Sequence, residues 1–147
     1  MHPFFRVHYF FRDIIIQVID LKNISEAVAV FGFGGVIYGL VEIFFRGYTH
    51  WTMVLTGGIV FTIIYLINLK LRTDSLLPRC FLGCLIITSA EFAVGCIVNL
   101  TLHWNVWDYS SERFNILGQI CPLFSVGWFF ICIPATFIAD TLKKELR

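Results

Sequence analysis

The chain has 147 residues, which is the length of a single domain, and we treat residues 1–147 as one membrane domain. It is 58% hydrophobic and only 14% charged, with a mean hydropathy of +0.80. Such a composition provides too little polar surface for a water-soluble globule and predicts an integral membrane protein in contact with the lipid bilayer. A net charge of +1 without a dense basic run argues against nucleic acid as a partner.

The first predicted element is an amphipathic helix over residues 3–21. Its polar residues recur at helical spacing and leave an apolar face between them. The charges within this stretch disfavour a membrane span, so a helix lying in the cytoplasmic interface and begun by Pro3 fits better. A soluble helix that docks a partner is the alternative.

Four apolar stretches follow, over residues 24–45, 52–69, 80–102 and 116–139. Each is close to the ~20 residues that a helix needs to cross the hydrocarbon region of a bilayer. The connections between them are short, and no internal repeat or low-complexity linker is visible. The sequence therefore predicts an all-α fold: an integral membrane four-helix bundle with an N-terminal interfacial amphipathic helix.

The eleven Lys and Arg residues alternate 3-1-3-1-3 among the five polar segments. The positive-inside rule then places both termini in the cytoplasm, and we expect a bacterial inner or cell membrane. The segments poor in Lys and Arg contain aromatic side chains that we expect at the outer interface. These are Tyr48, Trp51, Trp104, Trp107 and Tyr109.

Small and polar residues form two seams at helical spacing, and we expect both to face the interior. The first span carries Gly32, Gly35, Gly39, Glu42 and Arg46. The third span carries Cys84, Thr88, Glu91, Gly95 and Asn99. Polar groups gain nothing from contact with lipid, so these seams should be the packing faces.

Two intramembrane carboxyl groups are candidate site residues. Glu42 has a partner in Arg46, one helical turn nearer the surface. Glu91 lies close to the middle of its span without a cation in its own helix, so we expect desolvation to favour its neutral form. The alternatives for Glu91 are a protonated acid bonded to a neighbouring helix, or part of a substrate or proton site.

A second polar concentration precedes the fourth span and contains Asp108, Glu112, Arg113, Asn115 and Gln119. With Glu42, Arg46 and Asn99 at similar depth, a polar pocket at the outer leaflet is reasonable; a solvated loop is the alternative. The five cysteines lie in apolar stretches and predict neither a disulfide framework nor a metal site. We predict no cofactor.

The stretch Trp107-Asp-Tyr-Ser, followed by Arg113-Phe-Asn-Ile-Leu-Gly-Gln-Ile-Cys-Pro, resembles the hallmark motif of a bacterial family described as putative ABC-transporter type IV, or CmpB-type permease-like. The segments Tyr38-Gly-Leu-Val-Glu and Ser89-Ala-Glu-Phe are similar to two further segments of that family. The segment after Arg46 departs from it, being shorter and lacking a Gly- and Pro-rich stretch. The resemblance implies four helices and marks seven positions: Glu42, Arg46, Glu91, Trp107, Asp108, Asn115 and Gln119.

Three functions are compatible with these observations. The first is a transporter or permease-like subunit with a polar site near the outer leaflet, which would need to be a homo-oligomer to enclose a path. Any ATPase would be another chain, because the sequence contains no G-x-x-x-x-G-K-[ST] motif. The second is a scaffold or partner subunit of a larger membrane complex. The third, which we favour less, is an intramembrane enzyme acting on a lipid or isoprenoid, with Glu42, Glu91 or Asp108 as acid or base.

Overall fold

The computed structural model describes residues 24–70 and 75–146. These residues form α1 (Ile24–Arg46), α2 (Trp51–Lys70), α3 (Leu76–Gly95) and α4 (Pro122–Leu146), and α3 continues as a π-helical turn over Cys96–Thr101. Each of the four is long and apolar enough to cross a membrane. The predicted all-α four-helix membrane bundle is confirmed, whereas the interfacial helix predicted over residues 3–21 lies outside the described residues.

The third helix begins earlier than the sequence predicted, at Leu76 rather than near residue 80. Pro78 falls within the first helical turn, where backbone N–H groups have no intrahelical partner in any case. Arg79 does not end the helix either, because its guanidinium donates a 2.7 Å hydrogen bond to Asp140 on α4.

The fourth helix begins later than the sequence predicted, at Pro122 rather than near residue 116. Residues 116–120 form a tight turn instead, in which the Ile116 N–H donates to the Ile120 carbonyl at 2.9 Å. Gly118 occupies this turn with φ of +69°, a left-handed conformation that interrupts helical geometry. The apolar run of residues 116–121 therefore belongs to the connection before α4.

Helix α2 is the centre of the bundle. Inside the protein, 67% of its span is buried, compared with 22–33% for the other three helices. It packs against α1, α3 and α4, while α1 reaches α3 and α4 mainly through long side chains. The backbones of α1 and α2 approach so closely that a Cβ added to Gly57 would overlap the Cβ of Tyr38.

The two predicted seams differ in outcome. On α3, Glu91, Gly95 and Asn99 are buried, as predicted. On α1 the prediction was wrong for Gly32, which has open space around it, because α2 packs against Gly34 instead. Gly35, Gly39 and Glu42 of the same seam are buried, as predicted, so the inner face of α1 begins near Gly34 and Gly35.

Candidate functional site

Three helices meet at the carboxyl group of Glu91, whose side chain is almost fully buried. The Tyr38 hydroxyl of α1 donates to Oε1 at 2.9 Å, and the Trp128 indole N–H of α4 donates to Oε2 at 2.6 Å. The two donor rings also stack on each other, with centroids 5.2 Å apart and planes inclined by 19°. Glu91 thus joins α1, α3 and α4, and both of its oxygens accept hydrogen bonds from neutral donors.

A second polar group lies at the end of α1. Arg46 Nη1 contacts Glu42 Oε1 at 2.6 Å, which confirms the predicted ion pair. Thr49 Oγ1 donates to the other oxygen of Glu42 at 2.5 Å. Arg46 Nη2 donates to the Val106 carbonyl, and its guanidinium lies 4.7 Å from the centroid of the Tyr48 ring. The pair therefore ties α1 to both connections at this end of the bundle, which we call the loop end.

A cavity of about 210 Å³ brings these two groups together between α1 and α4. The charged side chains that line it are Glu42, Arg46 and Glu91. The other lining residues are mostly aliphatic or aromatic: Val41, Phe45, Tyr109, Leu123, Phe124, Gly127, Trp128 and Ile131. Phe45 and Leu123 at its rim are each 66% exposed on the lateral surface of the helices. We call this cavity the α1/α4 cleft. It is an apolar pocket with three charged side chains in its lining, and it opens to the lateral surface of the helices.

Tyr109 enters the cleft from the connection between α3 and α4. Its ring stacks on Phe124, with centroids 4.4 Å apart and planes inclined by 16°. Burial, with a smaller contribution from the charge of Glu91, raises the pKa of the Tyr109 phenol, which therefore keeps its proton. Its hydroxyl makes no hydrogen bond within the part of the chain that the structure describes, so it is available to donate to a ligand.

Three of the predicted site residues brace the connection and do not line the cleft. Asn99, in the π-helical turn, donates to Gln119 Oε1 at 2.8 Å and accepts from the Val106 N–H at 2.7 Å. The Trp107 indole N–H donates to the Gln119 carbonyl at 2.9 Å. Trp107 is only 5% exposed and therefore packs inside the protein. These side chains hold Val106 where Arg46 can reach its carbonyl.

The two remaining predicted residues shape the turn before α4. Asp108 Oδ1 accepts from the Ser110 N–H at 2.8 Å, and hydrogen bonds from Ser110 lower the pKa of the exposed Asp108 carboxyl. Asn115 donates to the Glu112 carbonyl at 2.8 Å and accepts from the Gly118 N–H at 3.0 Å. Glu42, Arg46 and Glu91 are therefore the predicted residues that the structure brings together in one pocket.

Sequence reasoning missed the aromatic partners of the site. Tyr38 lies one helical turn before Glu42, so its place near that residue could have been derived from helical spacing. No periodic signal links Trp128 or Phe124 to Glu91, since they meet only after α4 packs on α3. Within residues 24–70 and 75–146, no group of three or more His, Cys, Asp or Glu residues is placed to hold a metal ion.

Comparison with known proteins gives one match. The family model described as "Putative ABC-transporter type IV" matches residues 13–146, which covers all four helices and every residue of the cleft. Neither a curated protein nor a solved structure matches the chain. The match extends beyond the motif around Trp107 to the whole bundle.

Proposed function

The chain belongs to the putative ABC-transporter type IV family, and from this premise we propose that it is a permease-like membrane subunit whose α1/α4 cleft binds the transported compound. The observation that carries this proposal is the convergence of Glu42, Arg46 and Glu91 on one laterally open cavity. Charged side chains at membrane depth are costly, and they usually mark substrate or ion pathways. Glu42 and Arg46 could form their ion pair in a closely packed bundle, so pairing alone does not require the cavity beside them.

The position of the cleft supports an approach of the ligand from the membrane. Glu91 lies ten residues before Thr101, which corresponds to about 15 Å along a helix from the loop end. The rim residues Phe45 and Leu123, in the last turn of α1 and the first turn of α4, are exposed on the lateral surface of the helices. A compound dissolved in the loop-end leaflet would therefore reach Glu91 sideways, without crossing a polar surface.

A path across the membrane requires more than this cleft. We propose that the subunit works as a homo-oligomer and that a separate ATPase chain supplies the energy. Within residues 24–70 and 75–146, three helices pack around the mostly buried α2, and we infer that a second copy would have to complete a path across the membrane. Exposed apolar side chains cover much of α1 and α4. A second copy could pack against this surface within the lipid.

We also propose that the membrane is a bacterial inner or cell membrane, with the loop end facing outward. Lys143 and Lys144 lie in the last turn of α4, at the opposite end from the cleft, which agrees with a cytoplasmic C-terminus. Single cysteines introduced at Ser111 and Lys144 would test this with an impermeant thiol reagent in intact cells, in a background lacking the native cysteines. Labelling at position 111 but not at 144 is expected, and the reverse pattern would refute the orientation.

The transport role can be tested by comparing compounds inside and outside cells. Cells lacking the chain would be complemented with wild type, Glu91→Gln or Glu112→Gln, and the cells and medium would be compared by untargeted mass spectrometry. Glu112 makes a matched control because the same charge is removed outside the cleft lining. A permease should change how at least one compound is distributed across the membrane, and Glu91→Gln should abolish that change while Glu112→Gln keeps it.

The same measurement separates the other functions. An enzyme would change which compounds exist, so a new or missing compound with an unchanged inside-to-outside distribution of all others would refute the permease role. A scaffold would leave both the identities and the distributions of compounds unchanged while altering the assembly of a larger complex, which native mass spectrometry in mild detergent would show. Either outcome would remove transport as the function of the cleft.

A further inference from the structure

We propose that the ligand of the α1/α4 cleft is an amphipathic organic ammonium compound, whose cationic nitrogen sits beside Glu91 and whose apolar tail extends between α1 and α4 into the lipid. This inference rests on the proposed function for the role of the cleft, but not for its chemistry. The chemistry follows from the rings, the charges and the dimensions of the cavity.

Four of the eleven residues that line the cleft are aromatic. Phe45, Tyr109, Phe124 and Trp128 all line the same 210 Å³ cavity and come from two helices and a connection. The negative face of an aromatic ring attracts a cation, and sites that bind quaternary ammonium groups are commonly built from several such rings. The faces of these rings would repel an anion.

The charges of the cleft also favour a cation. Glu42 and Arg46 compensate each other at 2.6 Å, and Arg46 is further engaged by the Val106 carbonyl. Glu91 contacts the neutral donors Tyr38 and Trp128, and no Lys, Arg or His forms an ion pair with it in residues 24–70 and 75–146. A positively charged ligand group would supply a countercharge for this carboxyl and would so favour its ionised form over the neutral form that burial favours. An anionic group would instead face two carboxyl groups and a guanidinium that is already occupied.

The size and shape of the cleft indicate which part of the ligand it holds. An apolar cavity of about 150 Å³ accommodates a benzene-sized molecule, so 210 Å³ can hold a small head group but not a long chain. The remainder must leave through the lateral opening beside Phe45 and Leu123, which are both 66% exposed. A compound with a compact cation and an apolar tail satisfies both conditions.

Binding can be measured without transport. The protein would be placed in nanodiscs of zwitterionic lipid and titrated with hexyltrimethylammonium, hexyl sulfate or hexanol, which share one chain and differ in charge. Empty nanodiscs would correct for partitioning into the lipid. The ammonium compound should bind saturably and at least about tenfold more tightly than either control, since a charge-assisted contact is stronger than a neutral one. Equal affinities for the ammonium compound and hexanol would overturn the proposal.

Three variants locate the site. Glu91→Gln should weaken ammonium binding by about tenfold or more. Phe45→Leu should weaken it by about two- to fivefold, which is the usual worth of one exposed cation–π contact. The control Glu112→Gln should bind as wild type does. Because Phe45 lies at the exposed rim, its variant remains informative even if Glu91→Gln does not fold, and unchanged binding in Phe45→Leu would contradict the cleft as the site.

The outcomes separate this inference from the transport role. Saturable ammonium binding that depends on Phe45 and Glu91, without any change in the distribution of compounds in cells, would refute transport and keep the ligand class. A Glu91-dependent change in the distribution of an anionic or uncharged compound, without ammonium binding, would refute the ligand class and keep transport.

Discussion

The ion pair between Glu42 and Arg46 should contribute measurably to the stability of the bundle. Its side chains are 5% and 18% exposed, respectively, so neither charge is well solvated when its partner is removed. Breaking a buried pair costs about 3–5 kcal/mol. Because Arg46 is partly exposed, we expect the lower end, about 3 kcal/mol, for Arg46→Gln. Glu42→Gln should cost about 2 kcal/mol, since its amide oxygen can still accept one hydrogen bond.

The double variant should cost clearly less than the sum of the two single variants. With both charges absent, no isolated charge remains in the protein, and we expect a coupling free energy of about 2 kcal/mol. The free energies of unfolding would be measured in mixed micelles with increasing fractions of sodium dodecyl sulfate, followed by tryptophan fluorescence. Losses that add to within about 0.5 kcal/mol would refute the reasoning.

The ion pair at the other end of the bundle provides a comparison within the same chain. Arg79 Nη2 contacts Asp140 Oδ1 at 2.7 Å, but the Asp140 side chain is 38% exposed. Solvent and lipid head groups can replace the lost partner at such a position, so this pair should show a coupling below about 1 kcal/mol. A coupling free energy equal to that of Glu42 and Arg46 would show that burial does not determine how strongly the two residues of an ion pair are coupled.

Three further predictions follow from local packing and hydrogen bonding. Trp107→Phe should lower the free energy of unfolding by about 1–3 kcal/mol because it leaves a buried carbonyl without its donor; Trp104→Phe, at a 46% exposed position, should change it by less than about 0.5 kcal/mol. Gly57→Ala should destabilise the α1–α2 contact by about 1–3 kcal/mol, whereas Gly32→Ala, with open space around it, should be neutral or slightly stabilising in the same unfolding assay. The pKa of Asp108 is lowered in the folded state, so its ionised carboxylate stabilises the fold at pH values above the unfolded-state pKa. This stabilisation is lost as pH falls through the folded-state pKa, and Asp108→Asn should therefore reduce the acid sensitivity of thermal unfolding.

Much of the fold could be predicted from the sequence because a bilayer imposes a simple requirement on each helix. A span needs a long apolar run, and each of the four runs is long enough to be recognised without knowledge of its neighbours. Helix ends were less predictable, since Pro78 and Arg79 look like terminating residues and are tolerated only because of first-turn geometry and a partner on α4. The turn before α4 is apolar in composition, and its φ angles are not encoded in hydropathy.

The candidate site could be predicted only in part. The spacing within one helix identifies Glu42 with Arg46, and the apolar surroundings of Glu91 identify it as an unusual acid. The roles of Asn99, Trp107 and Gln119 could not be separated from those of the cleft residues, because polar residues that hold a connection and polar residues that bind a ligand have the same composition. Only their hydrogen bonds within the connection distinguish them.

The connection between α3 and α4 contacts a charged residue of the cleft through the backbone of Val106. Arg46 donates to the Val106 carbonyl, and the Val106 N–H is held by Asn99. Loss of the Asn99 amide would release Val106 and, with it, the guanidinium that compensates Glu42. We therefore expect Asn99→Ala to shift ammonium binding even though Asn99 does not line the cavity. Asn99→Asp keeps the oxygen that accepts from Val106 and should retain more binding than Asn99→Ala in the same nanodisc titration. Equal losses in the two variants would show that the hydrogen bond to Val106 does not position Arg46.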